Sequence, residues 1–144
     1  MGEVLDAPHV TLRTSIIGRE LRGGVSLVEW ILSQKGRTVK GFTKALFSGL
    51  TTRELSRVVG EVVLPRPELS GLYHVSVDPI SKYDLVGLVS EAYGLGLTIE
   101  PSDELAIDRT LDSTRFWEAT GYVPPAWPAL VADMAADTYP YPAV

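Results

Sequence analysis

The side chains that could do chemistry in this chain are few, and their spacing excludes more than it supports. His9 and His74 are the only histidines, and no H-E-x-x-H or related pattern joins them. There is no cysteine, so a thiolate nucleophile, a disulfide framework and a Cys-ligated zinc are all ruled out. No metal site is expected. Ser48-Gly49 lacks the G-x-S-x-G frame of a nucleophile elbow. No G-x-G-x-x-G follows a strand pattern and no Walker A sequence occurs, so no phosphate loop for a dinucleotide is encoded. Gly94-x-Gly96 follows a helix pattern and reads as a helix stop. His74, inside a strand pattern, reads as a core or rim residue. Asp103, Glu104 and Asp108 read as a solvated acidic loop rather than as paired carboxylates.

Three sets of cations remain. Arg109 stands between Asp108 and the start of a helix, where it either grips a phosphate with both arms of its fork or pairs with Asp108 or Asp112. Arg13 sits within an apolar strand and so needs a carboxylate, a carbonyl or a ligand. Lys40 and Lys44, near Phe42 and Phe47, either line an anionic cleft or face solvent.

The elements that must position these groups make an α/β chain. Leu72–Val77 is aromatic and β-branched and reads as a strand, broken by Asp78-Pro79. Ser81 opens a helix with Asp84 in capping-box position and Ile80/Leu85 as a hydrophobic staple; Leu85, Leu88, Val89 and Ala92 give its apolar face and Gly94 its stop. Upstream, His9–Ile17 reads as one mostly buried strand ended by Gly18. Ser26 caps a helix, with Glu29 as box partner, Val25/Trp30 as staple and Gly36 as stop. Thr38–Phe42 and Ala45–Phe47 are short strands. Thr51 caps a helix with Glu54 at the box position, Leu50/Leu55 as staple, and a stripe of Leu55, Val58, Val59, Val62 and Val63 running to Pro65. Leu97–Ile99 is a strand that Pro101 ends, and residues 102–110 are a loop. Asp112 or Ser113 caps a helix with Leu111/Phe116 as staple and Gly121 as stop. Trp127-Pro128 begins a last helix, and the tail from Thr138 is irregular.

The totals fit one domain. The 144 residues are 45% apolar, enough for a core, and the net charge of -5 gives no basic stripe for nucleic acid. No apolar run approaches the roughly 20 residues that a bilayer requires. The start, MGEVLDAPHV, has neither a basic nor an apolar leader segment, so the expected location is cytoplasmic.

In order, LRTSIIG, FSGLTTRELSRVV, GLYHVSVDPISKYDLVGLVSEAYG and RTLDSTRFWEATGYVPP resemble the C-terminal half of the extended short-chain dehydrogenase/reductases. Among these the chain is most similar to the dTDP-4-dehydrorhamnose reductase and nucleotide-sugar epimerase branch. The resemblance runs from Gly2 to about Met134. It implies a Rossmann-type fold of which this chain, residues 1–144, is a single substrate-binding domain. That domain would have about two strands of the Rossmann sheet, further short strands and about five helices. The family's Rossmann half, with its glycine-rich loop and Tyr-x-x-x-Lys pair, is absent here. Gly2-Glu3 matches a Gly-Glu that follows that Lys, and the adjacent Lys82-Tyr83 is no substitute for the pair.

Carried onto these residues, the resemblance implies that Arg13-Thr14-Ser15-Ile16 ends the strand beside nicotinamide and sugar. Arg13 and Ser15 would then touch substrate, and Thr14 and Ile16 the cofactor. Arg19 matches the cleft mouth, Ser48 the segment beside the nucleotide, and Arg109 an Arg that contacts the substrate diphosphate. Glu54 stands where the family usually has Asp, and Thr51-Thr52 where the reductases carry Pro-Thr. The implied ligand is a nucleotide sugar. NAD or NADP serves the complete enzyme, with none expected on this chain alone and no catalytic residue of its own. The alternatives are a stand-alone binding or interaction module and a degenerate fragment. With half of the parallel sheet missing, the strands at His9 and Leu72 are expected to leave exposed edges. That points to a separate Rossmann half as partner, or to self-association.

Overall fold

The computed structural model describes Glu3 and residues 7–142. Gly2 of the Gly-Glu pair, and the last two residues of the tail, lie outside these. The architecture is α/β, with five α-helices and short, mostly parallel strand pairs among the described residues.

Strand β1 (Val10–Arg13) runs parallel to β6 (Gly71–His74), with Leu12 opposite Tyr73 and Arg13 opposite His74. Beyond β6 the chain stays extended and fully buried through Val75 and Val77. There its amides change partner: Val75 N–H still donates to the Arg13 carbonyl at the end of β1 (2.9 Å), and Val77 N–H donates to the Ser48 carbonyl (2.9 Å).

That change of partner explains why His9–Ile17 is not one strand. At Thr14-Ser15 the chain turns from β6 to a new neighbour, and the Ser15 carbonyl accepts from Leu50 N–H at 2.9 Å. It resumes as β2 (Ile16–Ile17), parallel to β5 (Leu50–Thr51). The strand is also less buried than expected. β1 has one strand neighbour, so Val10, Thr11 and Leu12 are only half-buried. The strands at His9 and Leu72 therefore pair with each other, and the outer edges of this two-stranded sheet have no strand beside them among the described residues.

Strand β3 (Thr38–Phe42) pairs in parallel with β8 (Thr98–Ser102). Pro101 lies within β8 instead of ending it. β8 has no second strand neighbour, so the missing N–H of Pro101 breaks no ladder. Strand β4 (Ala45–Phe47) lies between β7 (Ile80–Ser81), antiparallel, and β9 (Ile107–Arg109), parallel. The stretch expected as a loop thus contains a strand. It is three residues long, with Ile107 half-buried and both Asp108 and Arg109 exposed, so no strand alternation registers in the sequence.

Helix α2 (Thr52–Arg57) is capped as expected: Glu54 N–H donates to Thr51 Oγ1 at 3.2 Å. It continues as a π-helical turn over Val58–Val63, with Leu64 N–H reaching back to the Val59 carbonyl. The extra residue in that turn rotates the stripe, so Val58 and Val63 are buried while Val59 is exposed. Helix α3 (Lys82–Ala92) has the predicted Ser81 cap, with Asp84 N–H 3.0 Å from Ser81 Oγ. Its staple pair, Ile80 and Leu85, is buried. Its inner face is Leu85, Val86, Val89 and Ser90, and Ala92 is exposed. Helix α4 (Thr114–Thr120) follows Ser113 and ends at Gly121 in the left-handed region (φ 70°). Asp112 supplies the side-chain bond, to Thr114 N–H at 3.0 Å. Helix α5 (Trp127–Ala135) carries Pro128 in its first turn and packs on α3.

Helix α1 (Leu27–Ser33) departs from its sequence pattern. Ser26 makes no capping bond, and both members of the proposed staple are exposed, Val25 at 92% and Trp30 at 41%. Glu29 points inward instead, at 3% exposure. It is drawn there by Arg19, whose Nε donates to Glu29 Oε1 at 2.7 Å, and by Glu20 N–H at 2.8 Å. The core is closed by Phe116, fully buried, with Tyr73 and Tyr122 edge-on at 5.9 and 5.8 Å.

Candidate functional site

The strand ends at Ile17, Phe47, Ser81 and Arg109 converge on one side of the molecule. There they enclose a cleft of about 550 Å³ lined by Ser15, Ile16, Leu46, Phe47, Lys82, Leu105, Ile107 and Arg109, among others. A smaller pocket of about 210 Å³ adjoins it across Ile16, Ile17 and Leu27, and is bounded by Gly18, Arg19, Glu20, Ser26 and Thr52. The walls are largely aliphatic and the polar groups are few, the composition usual for a small-molecule site.

Two of the cleft's polar groups are cations. Arg109 is held at the end of β9, opposite Phe47. Neither neighbouring carboxylate claims it. Asp108 accepts from Thr110 N–H at 2.9 Å and Asp112 from Thr114 N–H, and bonds from the side chains of those threonines, then from their backbone N–H groups, hold both carboxyls below the usual aspartate range. Lys82 enters from the first turn of α3 and is placed by the antiparallel pairing of Ser81 with Leu46. Burial pushes the Lys82 ammonium pKa down, and the neighbouring Arg109 charge pushes it further. Among the described residues no carboxylate forms an ion pair with either cation.

The segment bearing Arg109 is tied down by buried serines. Ser48, 1% exposed, accepts Leu111 N–H on its hydroxyl at 2.9 Å. Ser76 Oγ donates to the Leu111 carbonyl at 2.9 Å and lies 2.7 Å from Ser113 Oγ. Gly49 lets the backbones of β2 and β5 approach: a Cβ there would overlap the Ser15 carbonyl and the Phe47 ring.

The residues singled out from sequence thus divide. Ser15, Ile16 and Arg109 line the large cleft and Arg19 borders the small one. Ser48 lies behind the wall, fastening the Arg109 segment. Thr14 donates its hydroxyl to the Ser15 carbonyl at 3.2 Å. Arg13 points elsewhere: it forks onto Glu3 at 2.8 and 2.9 Å and contacts His74 Nε2 at 3.0 Å. Arg19 is engaged on every side. Besides Glu29, it donates to the Pro142 carbonyl at 3.0 Å and lies 4.9 Å from the Tyr141 ring, which packs at a tilt against Tyr139. Lys40 and Lys44 pair with Glu104 and Asp103 at the surface, outside the cleft lining.

Lys82 is a charged cleft residue that the sequence does not single out. It follows the Ser81 cap, but only the β4–β7 pairing shows that this turn faces Arg109. Among the described residues no group of three or more His, Asp and Glu residues could hold a metal, and no helix is long and apolar enough to cross a membrane.

No protein-family model matches this sequence, and no curated protein matches it. Solved structures do match the fold. dTDP-4-dehydrorhamnose reductase from Bacillus anthracis, solved with NADP, superposes with a TM-score of 0.68 at 15% identity, covering 91% of this chain and 49% of that one. UDP-N-acetylglucosamine 4-epimerase from Bacillus cereus gives a TM-score of 0.69 at 16% identity, over 88% and 46%. A hypothetical dTDP-4-dehydrorhamnose reductase from Sulfolobus tokodaii gives 0.64 at 23% identity, over 85% and 46%. The chain spans about half the length of the structures it matches. In fold it is similar to that half of a nucleotide-sugar reductase or epimerase of the extended short-chain dehydrogenase/reductase type, as its sequence implies.

Proposed function

We propose that this chain is the substrate-binding half of an NAD(P)-dependent nucleotide-sugar reductase or epimerase. In this reading the cleft positions a sugar and holds its diphosphate for chemistry completed by a Rossmann half. One observation carries it: an aliphatic cleft with the Arg109 guanidinium free of carboxylates at one end, in a fold similar to enzymes of that class. Arg109 suits a diphosphate, because its planar fork meets two phosphate oxygens at once.

The fit to a dinucleotide is partial. Ile16, 52% exposed, gives an apolar face of the kind a nicotinamide ring rests on, with Thr14 beside it. The sequence has no glycine-rich loop for the dinucleotide phosphates and no Tyr-x-x-x-Lys pair. When bound, the nicotinamide would supply the hydride. The residues here would bind and orient the sugar and exclude water around it.

The test is calorimetric titration of the purified chain with UDP- and dTDP-linked sugars, followed by an assay with NADPH. Binding without turnover is expected. Arg109→Met is expected to weaken binding by about tenfold or more. Failure of every nucleotide sugar to bind, or turnover by this polypeptide alone, refutes the assignment. Adding a separately expressed Rossmann half then distinguishes an enzyme component, which gains activity, from a stand-alone binding module, which does not.

A further inference from the structure

We infer that Lys82 is the second cation of an anion clamp in this cleft, acting with Arg109 so that the site selects a ligand end carrying two negative charges. The inference rests on the substrate reading above and adds to it a residue and a charge requirement.

Three observations lead there. Lys82 and Arg109 line the same cleft from different elements, the first turn of α3 and the end of β9. Neither has an ion-pair partner among the described residues; Arg22, Lys35, Arg37, Arg66 and Arg115 have none either, but none of those five lines the cleft. The nearest carboxylate in sequence, Asp84, turns away. It bonds back to Ser81 and lines a separate groove with Tyr83 and Gly87.

Two like charges brought together, with the Lys82 ammonium half-buried, oppose folding unless something answers them. The depressed ammonium pKa of Lys82 records that cost. A monoanion would leave one charge unanswered. A diphosphate diester, with one charge on each phosphorus, answers both: the Arg109 fork takes one phosphate in bidentate fashion and the Lys82 ammonium meets the other as a point charge. The remainder of the lining, with Ile16, Leu105 and Ile107, is aliphatic.

The experiment uses the full chain and inorganic pyrophosphate as probe, with dimethyl phosphate, a monoanion, and UDP-N-acetylglucosamine titrated in parallel. Wild type is expected to bind pyrophosphate at least about tenfold more tightly than dimethyl phosphate. Lys82→Met should weaken pyrophosphate by about tenfold, and Lys82→Arg should stay within about threefold of wild type. Without ligand, Lys82→Met should melt at or above the wild-type temperature, because a like-charge contact is gone. A lysine serving only the fold would give the opposite sign.

The inference is overturned if Lys82→Met binds pyrophosphate within twofold of wild type, or lowers the melting temperature without changing affinity. It is overturned equally if the monoanion dimethyl phosphate binds as tightly as pyrophosphate, which would mark an adventitious ion only. These results are separable from failure of the substrate reading. Pyrophosphate binding that depends on Lys82, with no nucleotide sugar bound, upholds the clamp and sinks that reading. Nucleotide-sugar binding indifferent to Lys82 does the reverse.

Discussion

Tyr122 shows how a single hydroxyl can set a pH limit for the whole fold. Its O–H donates to Glu54 Oε1 at 2.9 Å, and Arg57 takes the other oxygen of that buried carboxylate. Burial, then the bond to Glu54, pushes the Tyr122 phenol well above its ordinary value of 10. A phenol pKa raised by folding stabilises fully below the unfolded value and is lost as pH climbs above it. The wild-type chain is therefore expected to lose stability above about pH 10, and Tyr93, also raised by burial, shares in that loss. Tyr122→Phe should cost about 1–3 kcal/mol near neutrality, by leaving a Glu54 oxygen unpaired, and should flatten the alkaline limb. Urea midpoints at about pH 8 and pH 11 read both effects. Ser48→Ala makes a comparable test at the cleft wall. It removes the acceptor for Leu111 N–H, at about 1 kcal/mol, and should loosen the strand that carries Arg109. Proton exchange at Leu111 should accelerate accordingly.

The elements differ in how openly their residues announce them. Thr51, Ser81 and Gly121 are legible as helix boundaries because capping is local: the bond partner lies two or three residues away, or the backbone itself turns left-handed. The Val25/Trp30 staple failed because Glu29, three residues after Ser26, has a distant partner in Arg19 that outweighs a local contact. The split after Arg13 and the strand at Ile107 were not legible either, since both depend on which neighbour the chain meets. The candidate site follows the same division. Arg109 stands out by its place before a capped helix, whereas Lys82 acquires its role only from the pairing of β4 with β7. Gly49 belongs to this scale as well. Gly49→Ala forces apart the two elements bearing Ser15 and Phe47, an overpacking expected to cost about 2 kcal/mol. The accompanying readout is ligand affinity, which should fall, because both displaced residues line the cleft. Unchanged affinity and stability would show that the close approach is dispensable.

For the molecule as a whole, the telling feature is the β1–β6 pair. Two parallel strands with no further strand beside either outer edge among the described residues are unusual, since parallel sheets are ordinarily covered and continuous. Ile16 at 52% exposure and Leu105 at 41% extend an apolar surface at the cleft. Such a chain is expected to associate with itself in the absence of a partner sheet. Sedimentation velocity across a dilution series should show the associated fraction growing with concentration. A sharp melt of a monomer, independent of concentration, would contradict this.

The last residues described lie on Arg19, with Pro142 lending a carbonyl and Tyr141 a ring. The mouth of the smaller pocket is thereby buttressed by chain more than a hundred positions downstream in sequence, and its shape is hostage to how that end is handled. Carboxypeptidase trimming back to Asp137 should quicken amide exchange across residues 19–26 while the β3–β8 pair stays protected. An affinity handle fused at that end carries the same hazard, so a weak ligand titration on such material would report on the handle before it reported on the cleft.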